Sequence, residues 1–336
     1  MKKWAPSKWT VGLAVLFALF VLLLGRFAYT NAQINGIVRD IQDRGHTPVP
    51  GGKTKHVVMI SQELDNPFWR TIEKGARDAA EHYNIKLEYS GPYRNDIEEQ
   101  TELFGKAIAG KPDGILIQGI RSEAYNKLID KAVEQGIAVL TVDTDSPDSR
   151  RLSYVGTDNV ESGRQLGELV AKAYEGRSAS IGMVIGSYEA GNQQQRLEGF
   201  RSVVDAEPNL KIVEVGVSNI SRIQATQTAE HMLRSREGID VMVGTSALDA
   251  LGILQASKSL NKQEQVRIFG FDDLTETREA LARKEIEASV IQKPYTMGFQ
   301  SVEMLNRYFQ GETLPDAAFT RIDILNPQNA GVAVAP

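Results

Sequence analysis

The stretch HVVMIS at residues 56–61 is followed, three residues on, by Asp65-Asn66-Pro67-Phe68-Trp69. The first is a short apolar run and reads as a buried strand. Asn66 is a good helix N-cap, and Pro67 suits the first helical position, where no backbone N–H is needed. Phe68, Ile72, Ala76, Ala79, Ala80 and Tyr83 then mark one helical face, and a second strand is expected at 85–89. Strand, helix, strand at this spacing is the unit of a parallel sheet covered by helices.

Outward from that unit the pattern repeats. Helices are expected at 97–109 and 122–135, and strands at 114–117, 138–142 and 154–156. After Thr157-Asp158-Asn159 it restarts, with helices at 160–174, 198–206, 223–234, 248–257, 275–282 and 294–309. The strands between them fall at 180–185, 212–217, 241–244, 266–271 and 286–291. Some ten strands with a break in mid-chain imply two doubly wound lobes joined by a hinge. The expected divisions are 56–158 plus about 293–318 for the first lobe, and 159–292 plus about 319–330 for the second. Polar residues cluster just after the strands, where open α/β sheets bind ligands.

The chain has 336 residues, no cysteine and a formal charge of −5. A length of this order accommodates two domains at roughly 100–200 residues each. The missing cysteines exclude disulfides, thiolate nucleophiles, cysteine-ligated zinc and a lipid-modified cysteine tether. His46, His56, His82 and His231 are too scattered for a metal site, so no metal and no cofactor is expected. A net acidic chain is a poor nucleic-acid binder. The charge is uneven: residues 1–55 carry +6 and the remainder −11.

Residues 11–24, VGLAVLFALFVLLL, follow Lys2, Lys3 and Lys8. The run is short enough for a signal peptide, with Thr30-Asn31-Ala32 as a weak cleavage site. Extended to Trp9–Tyr29, with Arg26 snorkelling, it can instead span a membrane with the N-terminus inside. The retained anchor is the favoured expectation: one transmembrane helix within residues 1–30 and the globular body outside the cytoplasm. Ile34, Ile37, Val38 and Ile41 share a helical face, so residues 31–55 are expected to hold a juxtamembrane helix and then the breaker-rich linker TPVPGG at 47–52.

Seven stretches, in order, carry a resemblance: MISQELDNPFW, DGILIQG, AVLTVDTD, YVGTDNVESG, QQQRLEGF, IFGFDD and SVIQKPYTMG. Across residues 56–320 the chain resembles the ribose/galactose class of extracytoplasmic sugar-binding proteins, related to the effector domains of LacI-type repressors. The resemblance implies two lobes closing on a sugar. It places ligand contacts at Asn66, Phe68 and Trp69, at Gln118 and Asp143, at Asp272 and Gln292, and at Gln194 and Ser246 in the second lobe. Aromatic rings suit the C–H faces of a sugar, and carboxylates and amides suit its hydroxyls. Thr144 and Gln194 stand where ribose-binding members have arginines, and Arg121 and Arg222 are the candidates to compensate. Arg196 reads as structural, pairing near a helix start. Thr157-Asp158-Asn159 is expected to mark an inter-lobe crossing and a helix cap.

Dinucleotide, Walker A and nucleophile-elbow patterns are absent, so an enzyme, even a glycosidase using a pair of strand-end carboxylates, is the least favoured reading. A repressor would need a DNA-binding head where the apolar segment stands. The expected ligand is a monosaccharide or small polyol, a furanosyl signalling molecule being an alternative. The resemblance leaves two partners open: a membrane sensor histidine kinase, as for some membrane-anchored relatives, or the permease of an ABC importer.

Overall fold

The computed structural model describes residues 54–331. The expected anchor, juxtamembrane helix and linker lie outside the described residues. Among the described residues no helix is long and apolar enough to cross a membrane.

The first sheet is built from β1 (His56–Ile60), β2 (Lys86–Ser90), β3 (Gly114–Ile117), β4 (Ala138–Val142), β5 (Ser153–Thr157) and β11 (Ala317–Thr320). Their order is β11-β5-β4-β3-β1-β2, all parallel. The second is built from β6 (Ala179–Ile185), β7 (Leu210–Val217), β8 (Val241–Gly244), β9 (Arg267–Phe271), β10 (Ala288–Ile291) and β12 (Asp323–Leu325). Its order, β12-β10-β9-β8-β6-β7, repeats the first, with the edge strand β12 antiparallel. The helices are α1 (Pro67–His82), α2 (Ile97–Gly110), α3 (Glu123–Glu134), α4 (Asn159–Ala173), α5 (Gly191–Val204), α6 (Arg222–Ser235), α7 (Asp249–Ser259), α8 (Thr275–Ala282) and α9 (Pro294–Phe309).

Alternating strand residues feed cores on opposite faces of each sheet. In the first lobe Val57, Met59, Leu116 and Leu140 pack with Ile72 and Ala76 of α1 and Val302 of α9. Their neighbours Val58, Ile60, Ile115, Ile117 and Val139 pack with Phe104 of α2 and Ile129 of α3. In the second lobe Met183, Val243 and Phe269 face α4 and α5, and Met242 and Ile268 face α6 and α7. Strands buried on both faces explain why their sequences read as unbroken apolar runs.

Local signals set the helix starts. Asn66 Oδ1 accepts from the Phe68 N–H at 3.0 Å, with Pro67 in the first turn. Ser122 caps α3 and Asp158 caps α4 in the same way. Two departures from the sequence reading matter. The helix expected at 198–206 begins at Gly191, because its first turns are polar and buried and carry no apolar periodicity. The edge strands β11 and β12 are too short to show a pattern in the sequence, and β11 carries the first sheet on to Thr320.

The chain passes between the lobes after β5, after β10 and after β11, and side chains lace these crossings together. Thr157 Oγ1 donates to Gln292 Oε1 at 2.7 Å, and Lys293 Nζ lies 3.1 Å from Asp323 Oδ2. The helices that start at two of the crossings, α4 and α9, touch their neighbours almost backbone to backbone. A Cβ on Gly298 of α9 would fall 1.9 Å from Ile72 O of α1, and one on Gly163 of α4 would fall 2.0 Å from Arg196 O of α5.

Candidate functional site

The carboxyl ends of the two sheets meet in a cleft lined by residues of both lobes. From the first come Gln62 after β1, Asn66, Phe68 and Trp69 at the start of α1, and Asp143 after β4. From the second come Asn192, Gln193 and Arg196 of α5, Ile220 after β7, Ser246 and Ala247 after β8, and Asp272 after β9, with Gln292 at the second crossing. The free volume is small, about 40 Å³.

Asp143 and Asp272 hold the centre. Both adopt left-handed backbone, φ 68° and 62°, conformations that Asp tolerates better than most non-glycine residues. Gln118 Nε2 donates to Asp143 Oδ2 at 3.1 Å, and Asn192 Nδ2 reaches it across the cleft at 3.5 Å. Gln292 Nε2 donates to Asp272 Oδ1 at 3.1 Å. Burial raises both carboxyls above their ordinary pKa, against the pull of Arg196, and Asp272 is pushed up to about 7.

Arg196 is the buried cation of the site. Its Nε donates to Asn159 Oδ1 at 2.9 Å, Nη1 to Thr245 O at 2.8 Å and Nη2 to Gln292 Oε1 at 2.7 Å. The guanidinium lies 4.0 Å from the centroid of the Phe271 ring. It therefore joins the first crossing (Asn159), the second (Gln292) and the loop after β8. Burial draws its pKa down and Asp272 and Asp143 oppose this, so the cation is held by the carboxylates on either side. Asp249, raised by burial to about 6, accepts from the Ser246 N–H at 2.9 Å and fixes that loop.

Three buried polar atoms of cleft-lining residues have no protein partner: Trp69 Nε1, Asn192 Oδ1 and Ser246 Oγ. Buried polar groups are seldom left unpaired, and here one comes from the first lobe and two from the second. An indole N–H, an amide oxygen and a hydroxyl beside two carboxylates can hydrogen-bond a small, hydroxyl-rich molecule, while the Phe68 and Trp69 rings offer apolar surface.

Of the residues singled out in the sequence, Asn66, Phe68, Trp69, Asp143, Ser246, Asp272 and Gln292 come together in this cleft. Gln118 stands behind Asp143 and faces an adjoining cavity. Gln194 does not face the cleft: it is exposed, and its amide donates to Tyr188 O. Residues 192, 193 and 196 share one side of α5, and position 194 turns about 200° away from 192. Arg222 pairs with Glu276 at 3.2 Å on the outside of the second lobe, and Arg121 lines the adjoining cavity. Neither supplies the cleft's cation. Arg196, read from sequence as structural, does. Counting from the true start of α5 would have found it, since Asn192 and Arg196 are four apart and stack on one face.

Two pseudo-equivalent α/β lobes around a polar cleft, joined by a laced set of crossings, define the architecture of a small-molecule binding protein. The chain belongs to the periplasmic binding protein domain family, whose model matches residues 57–313. It is similar to the solved glucose-galactose binding protein of Geobacillus stearothermophilus: 35% identity, TM-score 0.80, covering 84% of this chain and 100% of that one. It is also similar to a chain of the XylFII-LytSN complex, at 32% identity and TM-score 0.77, covering 82% of this chain and 99% of that one. The ribose import binding protein of Haemophilus influenzae is 25% identical over 256 residues, which are 76% of this chain and 86% of that protein.

Proposed function

We propose that this chain is an extracytoplasmic sugar receptor, held at the membrane by the apolar segment at 9–29, that closes on a neutral monosaccharide and presents the closed form to a membrane sensor histidine kinase. The observation that carries the sugar reading is the set of unpartnered polar atoms, Trp69 Nε1, Asn192 Oδ1 and Ser246 Oγ, converging from both lobes beside Asp143 and Asp272. Each would gain a hydroxyl partner. The named relatives, which bind ribose, glucose and galactose, support the same ligand class.

A free volume of about 40 Å³ is room for only a few water-sized spheres. A sugar therefore enters only when the lobes part, and binding favours the closed form by population shift. The XylFII-LytSN complex supports a protein partner that reads such a form. The second reading is delivery to an ABC importer, which the import binding protein of Haemophilus influenzae supports.

A thermal-shift screen over pentoses, hexoses, inositols and furanosyl compounds tests the ligand class. A true ligand at about 100 times its Kd adds about 2.7 kcal/mol of stability. No shift from any sugar or polyol would sink this reading. Co-purification of the full chain with a kinase rather than a permease decides the partner.

A further inference from the structure

Beside the cleft a larger cavity opens between the lobes, about 240 Å³ against about 40 Å³. Gln62 lines both. The two adjoin at a bonded set: Gln118 and Thr144 line the outer cavity, Asp143 lines the cleft, and Gln118 Nε2 donates to Asp143 Oδ2 at 3.1 Å and Thr144 Oγ1 at 3.3 Å. We infer that the outer cavity is a second sugar subsite, so that the protein takes a disaccharide or glycoside whose terminal ring sits in the cleft. This rests on the reading of the cleft as a monosaccharide site.

The size and chemistry of the cavity carry the inference. Its volume approaches the lower end of the usual range for ligand pockets, about 300–1,000 Å³. Its walls come from both lobes: Ile97 and Arg121 from the first, Glu189 and Gly191 from the second. An apolar side chain, a cation and a carboxylate offer a ring face, a donor and an acceptor, which a second sugar unit needs. Arg121 has no hydrogen-bond or ion-pair partner among the described residues. Its Nε lies 2.5 Å from where a Cβ on Gly191 would stand, so the guanidinium rests against the opposite lobe. The loops that form the cavity also carry exposed aromatics from opposite lobes, Tyr93 at 74% and Tyr188 at 47%. An occupant would touch both lobes and so add to the bias toward closure.

Calorimetry on the full-length protein tests this with D-xylose, D-glucose and D-galactose against xylobiose, cellobiose, melibiose and the methyl glycosides. The expected result is that one disaccharide or glycoside binds about tenfold or more tighter than its parent monosaccharide. Ile97→Trp, which fills the outer cavity from an exposed position, should erase that gain and leave the monosaccharide within about twofold. Arg121→Ala should remove part of the gain. Binding of a disaccharide without its monosaccharide also supports the subsite. If monosaccharides bind and every extended sugar binds more weakly, or if Ile97→Trp weakens both alike, the subsite is overturned and the cleft reading stands. If no sugar of either kind binds, both fall.

Discussion

Asp143 and Asp272 hold equivalent places in the two lobes and keep different company. Each follows the third strand of its sheet, adopts left-handed backbone, and donates its N–H to the neighbouring strand, to Val155 O at 3.1 Å and Val290 O at 2.8 Å. Asp143 draws its partners from its own lobe (Gln118, Thr144) and, through Asn192, from across the cleft. Asp272 is bound by Gln292, which also accepts from Thr157 and Arg196. Parting of the lobes would thus strip a donor from Asp143, whereas Asp272 is wired to the crossings. In the closure proposed above, one carboxylate would meet the opposite lobe directly, and the other would be tied to the crossings.

The largest test of this contrast is Arg196→Met. Removing the cation takes a donor from Asn159 Oδ1, Thr245 O and Gln292 Oε1 and the offsetting charge from the buried Asp272 and Asp143, and a buried charge left without its countercharge costs about 3–5 kcal/mol. Chemical denaturation should show that loss, and a variant as stable as the parent would remove Arg196 from the hinge. Next, Asp143→Asn and Asp272→Asn should each weaken sugar binding by roughly tenfold to a hundredfold in calorimetry, the range for hydrogen bonds to a charged group. The two differ in coupling. Asn192→Ala should be non-additive with Asp143→Asn and additive with Asp272→Asn, since only the first pair are in contact.

The pH dependence follows. The Asp272 carboxyl, pushed up to about 7, is neutral below that pH, and a sugar hydroxyl donates best to the ionised form. Affinity should fall as pH drops from about 8 to about 6, approaching tenfold per unit. Stability moves the opposite way. The folded state holds a proton that the unfolded state, with a carboxyl near 3.8, has lost, so stability declines as pH rises from about 4 to about 7. Asp272→Asn should flatten that slope. The smallest effect is expected at Gln194, which faces solvent: Gln194→Ala should change sugar affinity by less than about twofold.

Much of this architecture is legible in the sequence because the strands are buried on both faces and their neighbours carry turn and cap chemistry. The segments 114–117, 138–142, 241–244, 275–282 and 294–309 fall where the apolar runs and the Pro294 signal put them. The carboxylates that end apolar strands, Asp143 and Asp272, stand out for the same reason. The start of α5 did not, because a buried polar face has no hydrophobic period, and with it went Asn192, Gln193 and the role of Arg196. The edge strands were too short to register, β12 being three residues.

The glycine contacts of the hinge helices have a mechanical consequence. A helix pair that meets backbone to backbone cannot slide by letting side chains give. The Gly298 contact fastens α9, which begins at a crossing, to α1, whose first turn carries Asn66, Phe68 and Trp69; the Gly163 contact fastens α4, at another crossing, to α5 at Arg196 itself. Each pair is a stiff lever with its fulcrum at a crossing and cleft-lining side chains on its arm. In the closure proposed above, a rotation at the crossings would then reach the cleft with little slack, and a few hydroxyl contacts would suffice to displace whole lobes.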